Sequence, residues 1–139
     1  MNEWIFILTF LTATCIVSFH KMRMSDKKLK ERSKQRGFIS KNKFVNQLEK
    51  KGFERKWISR LYDIISDYIP KEFTMSVDDE LVEDYKIDDE DLVEIAKDLF
   101  IKRNGFEAKE LHIGKAEQQG ATIRTFGGIL SFITLEKYQ

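Results

Sequence analysis

The chain has 139 residues, room for one domain and an extension, and its net charge of +1 conceals a strong separation of sign. Residues 20–43 hold ten Lys/Arg against Asp26 and Glu31, whereas residues 78–98 hold eleven Asp/Glu against Lys86 and Lys97. A lone cysteine, Cys15, excludes an intrachain disulfide framework and an all-cysteine metal site, and one proline with seven glycines points to a helical chain with few elaborate turns.

Residues 4–19 (WIFILTFLTATCIVSF) are apolar except for hydroxyl and thiol groups, and a helical Ser or Thr can bond to its own preceding turn. Sixteen residues of helix reach about 24 Å, a little short of a hydrocarbon core of about 30 Å. Met22 and the snorkelling side chains of Lys21 and Arg23 can cover the rest, and Trp4 suits the opposite interface. Met1-Asn2-Glu3 lacks the positive charge that opens a signal peptide, and Thr12 and Ile16-Val17 fit a lipoprotein signal ending at Cys15 badly. The reading is a single-pass anchor in contact with the bilayer through 4–19. Positive charge on its C-terminal side places the N-terminus outside and the remainder in the cytoplasm.

Residues 22–39 read as a basic juxtamembrane linker. Lys21, Arg23, Lys27, Lys28 and Lys30 lie closest to the bilayer, where attraction to anionic headgroups is worth about 1 kcal/mol per cation. The absence of interleaved aromatics or a reading module argues against nucleic acid. Residues 40–51 predict a short helix with Phe44, Val45 and Leu48 on one side, closed by Gly52. Residues 54–69 predict a stronger one. Trp57, Ile58, Leu61, Ile64, Ile65, Tyr68 and Ile69 form its apolar face, and Pro70 stops it. Phe73, Met75 and Val77 then read as core plugs in a loop.

Residues 76–105 are the stretch around which the chain is organised. Asp88 or Asp89 can cap a helix N-terminus, with Asp91 at capping-box distance from Asp88. Leu92, Ile95, Ala96, Leu99 and Phe100 recur at helical spacing, Lys102 and Arg103 complement the last turn, and Gly105 can take the left-handed C′ position. The opposite face is almost wholly acidic. Beyond it, Phe106 and Ile113 should pack inward, and Gly114 and Gly120 bracket a polar KAEQQ segment. Thr125 is a plausible N-cap for a last helix with Phe126, Ile129, Leu130, Phe132 and Ile133 inward. Gly127-Gly128 weakens it by about 1 kcal/mol per Gly relative to Ala, which close approach of a neighbouring helix would justify.

Residues 81–100 (LVEDYKIDDEDLVEIAKDLF) resemble the segment of acyl carrier proteins that leads through an Asp-Ser-Leu motif into their acidic second helix. Leu81-Val82-Glu83-Asp84 matches the family's L-x-E-D approach, Asp88 its Asp, and Val93-Glu94 the V-E one turn into the helix. Residues 122–133 (TIRTFGGILSFI) are similar to the short final helix, which in the family follows a Thr. The resemblance covers about residues 54–134. It implies a small helical bundle whose first helix is 54–69, and an acidic helix that docks basic partners. The chain departs from the family where the chemistry lies: Asp89 stands at the serine that would carry phosphopantetheine, Glu90 at the following Leu, and Lys86 at the usual Gly. This would be a carrier fold without carrier chemistry, as in some enterobacterial carrier-like proteins. Ser76 lies too far upstream to substitute, and Ser131 sits in the last helix.

Asp88, Asp89, Glu90 and Asp91 fan around a first helical turn, so favourable interaction with the helix dipole explains them more simply than convergent acid–base catalysis. They lack the calcium-loop ladder, and His112 has no His or Cys neighbour. The expectation is therefore an all-α protein: a transmembrane helix at 1–21, the linker, and a cytosolic carrier-like bundle at 40–139. It should have no catalytic residues, metal or cofactor. Its function should be that of a noncatalytic, membrane-tethered interaction module of a bacterial inner membrane. Glu83, Asp84, Asp88, Asp89, Glu90, Asp91, Glu94 and Asp98 would face a basic protein partner. An immunity protein that neutralises a toxin, or an acyl carrier, are the alternatives.

Overall fold

The computed structural model describes residues 2–106 and 123–134, with the side chains of 2, 21, 22 and 25 excepted. The expectations for Ile113, His112, Gly114 and Gly120, and for the side chains of Lys21 and Met22, therefore lie outside the described residues. Among those described there are six helices and no strand: α1 (Asn2–Arg36), α2 (Lys41–Glu49), α3 (Arg55–Ser66), α4 (Leu81–Tyr85), α5 (Asp89–Asn104) and α6 (Phe126–Ile133). One isolated antiparallel bridge joins Glu80 to Thr125.

Helix α1 crosses the boundary between the apolar stretch and the basic run without a break. Its 35 residues extend about 52 Å at ~1.5 Å per residue. Glu3–His20 is long and apolar enough to cross a membrane by length and composition, and none of it is buried against the rest of the chain. Thr9, Thr12 and Thr14 each return their hydroxyl to carbonyls three and four residues back, which removes the polar cost of those positions. The helix continues because LKERSKQR is rich in residues that lose little rotamer freedom in a helix. It ends at Gly37, whose φ of +69° is the left-handed conformation glycine adopts freely.

The bundle starts where Ser40 caps α2, its Oγ accepting from the Lys43 N–H at 3.2 Å. Phe44, Val45 and Leu48 are buried as the spacing predicts, and Phe44 meets Tyr62 of α3 and Phe126 of α6 edge-to-face at 5.0 and 4.9 Å. Helix α3 is a turn shorter than its apolar pattern, because the ring of Pro70 disfavours helix immediately before it. Residues 67–69 close as turns instead. The side chain of Tyr68 consequently leaves the apolar face and is 45% exposed, while Ile69 stays buried. In the following loop Met75 is buried, with Phe73 and Val77 packed against the core.

Helices α5 and α6 follow their sequence signals closely. All five stripe residues of α5 are buried, and Gly105 adopts φ +76°. Thr125 caps α6 by accepting the Gly128 N–H at 3.0 Å, and Phe126, Ile129, Leu130, Phe132 and Ile133 fill the core. Each such large apolar side chain contributes roughly 1.5–3 kcal/mol by leaving water. Gly128 is buried, but a Cβ at Gly127 would meet nothing within 4 Å, so close packing does not account for that glycine. At the far end, Arg103 donates to Glu54 at 2.8 Å, and Asn104 Nδ2 donates to the last carbonyl of α6, at Ile133, at 3.1 Å. These bonds join α3, α5 and α6 where α6 would otherwise leave an open carbonyl.

Candidate functional site: an acidic helix start beside a buried arginine clasp

The acidic face predicted from the sequence divides into two sets. Four of its eight residues are engaged by the chain's own cations. Asp84 pairs with Arg32 of α1 and also accepts the Glu80 N–H at 2.8 Å. Asp89 is held from two sides by the Arg124 guanidinium, Nε to Oδ1 at 3.0 Å and Nη2 to Oδ2 at 2.8 Å. That bidentate contact raises the Arg124 pKa, first through the hydrogen bond to Asp89 and then through its charge. Asp98 pairs with Lys102 one turn on at 2.5 Å, and Glu83 lies 4.0 Å from Lys86.

The other four are Asp88, Glu90, Asp91 and Glu94, and no ion pair holds them among the described residues. Asp88 occupies the N-cap position of α5 with extended backbone, but its side chain makes no capping bond. Asp91 is half-buried; the rest are exposed. These carboxylates project from the first two turns of a 16-residue helix, where the positive dipole end offsets their mutual repulsion. Lys86 precedes them in the left-handed region at φ +58°, at the position where the carrier resemblance has glycine.

The deepest polar group belongs to neither set. Asp79 is 2% exposed and was visible in the sequence only as one acid in a run. Its Oδ2 accepts from Arg36 Nη1 at 2.7 Å, from the Ser76 N–H at 2.8 Å and from the Tyr85 hydroxyl, and its Oδ1 lies 2.5 Å from Arg36 Nη2. Burial, then the bond to Asp79, pushes the Tyr85 phenol far above its ordinary value; the same carboxylate raises Arg36. The last turns of α1 are thus locked to the 72–85 segment. Leu29 enters the core, Lys30 lies 3.9 Å from Glu72, Ser33 Oγ accepts the Thr74 N–H at 2.9 Å, and Arg32 and Arg36 take Asp84 and Asp79. A usable signal existed: Met75, Val77, Asp79 and Leu81 share one phase of an alternating pattern, which puts Asp79 among inward positions.

Of the cations predicted to lie closest to a bilayer, Lys30 is drawn to Glu72, whereas Arg23, Lys27 and Lys28 stay outside the clasp. Lys27 and Lys28 are exposed, and Arg23 stacks over the Phe19 ring at 5.9 Å. Cys15 and His20 are exposed on the apolar stretch. Among the described residues there is no group of three His, Cys, Asp or Glu placed to hold a metal ion. No protein-family model, curated protein or solved structure matches the chain.

Proposed function

We propose that this chain is a noncatalytic interaction module, held at a membrane by α1, that offers the first turns of α5 to a basic protein partner. The observation that carries the reading is a pairing of two uncovered surfaces on one chain. Glu3–His20 is apolar enough to cross a membrane and is unburied, and the carboxylates of Asp88, Glu90, Asp91 and Glu94 have no ion-pair partner among the described residues. An apolar surface of that size is stable in lipid rather than water. Four uncompensated charges on one helix end steer and orient a cationic partner more than they add affinity. The buried carboxylate, Asp79, is occupied by three donors and is better suited to holding the fold than to proton transfer.

The carrier alternative draws no support from Asp89, which has no hydroxyl and is clamped by Arg124. The Lys/Arg placed after the apolar stretch favour a cytoplasmic bundle in this reading, and a bacterial inner membrane rests on the carrier resemblance alone. Two experiments test the proposal. Alkaline carbonate should leave the full chain in the membrane fraction; release into the supernatant would remove the anchor. Chemical cross-linking of the full chain in membranes, compared with Asp88→Asn, Glu90→Gln, Asp91→Asn and Glu94→Gln combined, should show cross-linked partner falling at least tenfold. Unchanged recovery would remove the docking face.

A further inference from the structure

We infer that α1 is a rigid stalk rather than a tether: the clasp around Arg36 and Asp79 makes the membrane-directed helix and the bundle one body, fixing the bundle's height and rotation relative to the apolar stretch. Three observations carry this. The helix has no break between its exposed apolar half and the turns that grip the bundle. The grip is distributed over four successive positions of one helix face, Leu29, Arg32, Ser33 and Arg36, and combines core burial, two charge pairs and a side-chain-to-backbone bond. Such a face cannot rotate about one contact without losing the others. The chain's first glycine, Gly37 at φ +69°, lies beyond the clasp, so flexibility there does not uncouple bundle from helix.

Between the apolar stretch and the clasp, Arg23, Met24, Asp26, Lys27 and Lys28 are exposed, yet they sit between two nucleated helical segments, and extending an existing helix avoids the nucleation cost. Leu29 lies about 13 Å beyond His20 along the axis. With His20 at the hydrocarbon edge, a polar headgroup layer of roughly 5–8 Å ends short of the first bundle contact. The first bundle contact on the helix would therefore lie just clear of the headgroups, and the rigid joint would present the α5 carboxylates at a set angle. The height above a bilayer rests on the membrane reading; the rigidity does not.

Double electron–electron resonance between spin labels at Met24→Cys and Asp67→Cys, in a Cys15→Ser full chain, tests the stalk in micelles and in nanodiscs. A single narrow distance, the same in both, is expected. A broad distribution in either overturns the proposal. Arg32→Gln with Arg36→Gln should broaden the peak, and a narrow peak surviving in a folded double variant also overturns it. Because that variant may lose the bundle fold, a Gly-Ser-Gly insertion after Asp26 provides a second arm. It leaves the clasp intact and must broaden the peak; an unchanged distance counts against the stalk. Carbonate extraction reads the anchor separately, so a narrow peak in an extractable protein would sink the membrane reading and leave the stalk standing.

Discussion

Asp79 is the residue whose removal should cost most. Asp79→Asn leaves a three-quarters-buried Arg36 without its counter-charge and weakens three hydrogen bonds, a change expected to destabilise by about 3 kcal/mol. Urea denaturation should show it, and a double-mutant cycle with Arg36→Gln should return a coupling of about 2 kcal/mol, since the two residues share one interaction. Tyr85 adds a pH dependence whose sign is set. Its folded pKa lies above the ordinary phenol value near 10, so its contribution is complete below about pH 10 and is lost as the pH climbs toward the folded value. Stability should fall on the alkaline side of about pH 10, more steeply than in Tyr85→Phe. Lys86 is the opposite case. A β-carbon in the left-handed region costs about 1–2 kcal/mol, and Lys86→Gly should recover about 0.5–1 kcal/mol after the entropy that glycine adds to the unfolded chain.

At the scale of elements, what the sequence revealed depended on whether the signal was local. Helices α2, α3, α5 and α6 carry apolar residues at helical spacing between caps and stops, and each forms within a turn or so of its predicted bounds. The end of α1 has a lone Leu29 in a field of charge, so nothing periodic announced either its helicity or its docking. The clasp joins residues 43 positions apart, and the Asp89–Arg124 pair spans 35; pairings at that range are decided by the packed fold. The candidate site was therefore half legible. Its carboxylates could be counted, but which of them the chain itself neutralises could not. Gly127 shows a local rule that needed structure to resolve. With open space where its Cβ would be, Gly127→Ala should raise stability by about 0.5–1 kcal/mol, visible as a higher Tm for α6 melting with the bundle.

For the whole molecule, the consequence is where the folded domain begins. Composition places a boundary near residue 40, after the basic run, and a soluble fragment cut there would keep every helix of the bundle. It would also expose Asp79 to a site from which Arg36 has been removed, strip Leu29 from the core and leave the Thr74 N–H without Ser33. The uncompensated carboxylate costs about 3 kcal/mol, the lost apolar burial about 1.5, and the backbone donor about 1. Against a typical stability of 5–15 kcal/mol that is a large share, equivalent to roughly 20 °C in Tm for a domain of this size. Residues 29–139 should therefore melt cooperatively in solution, and residues 37–139 should melt far lower or fail to fold. Circular dichroism on the two fragments compares them directly, because neither contains the apolar stretch. Equal melting temperatures would mean that the arginines decorate a domain complete without them, and the helix end would return to being a linker.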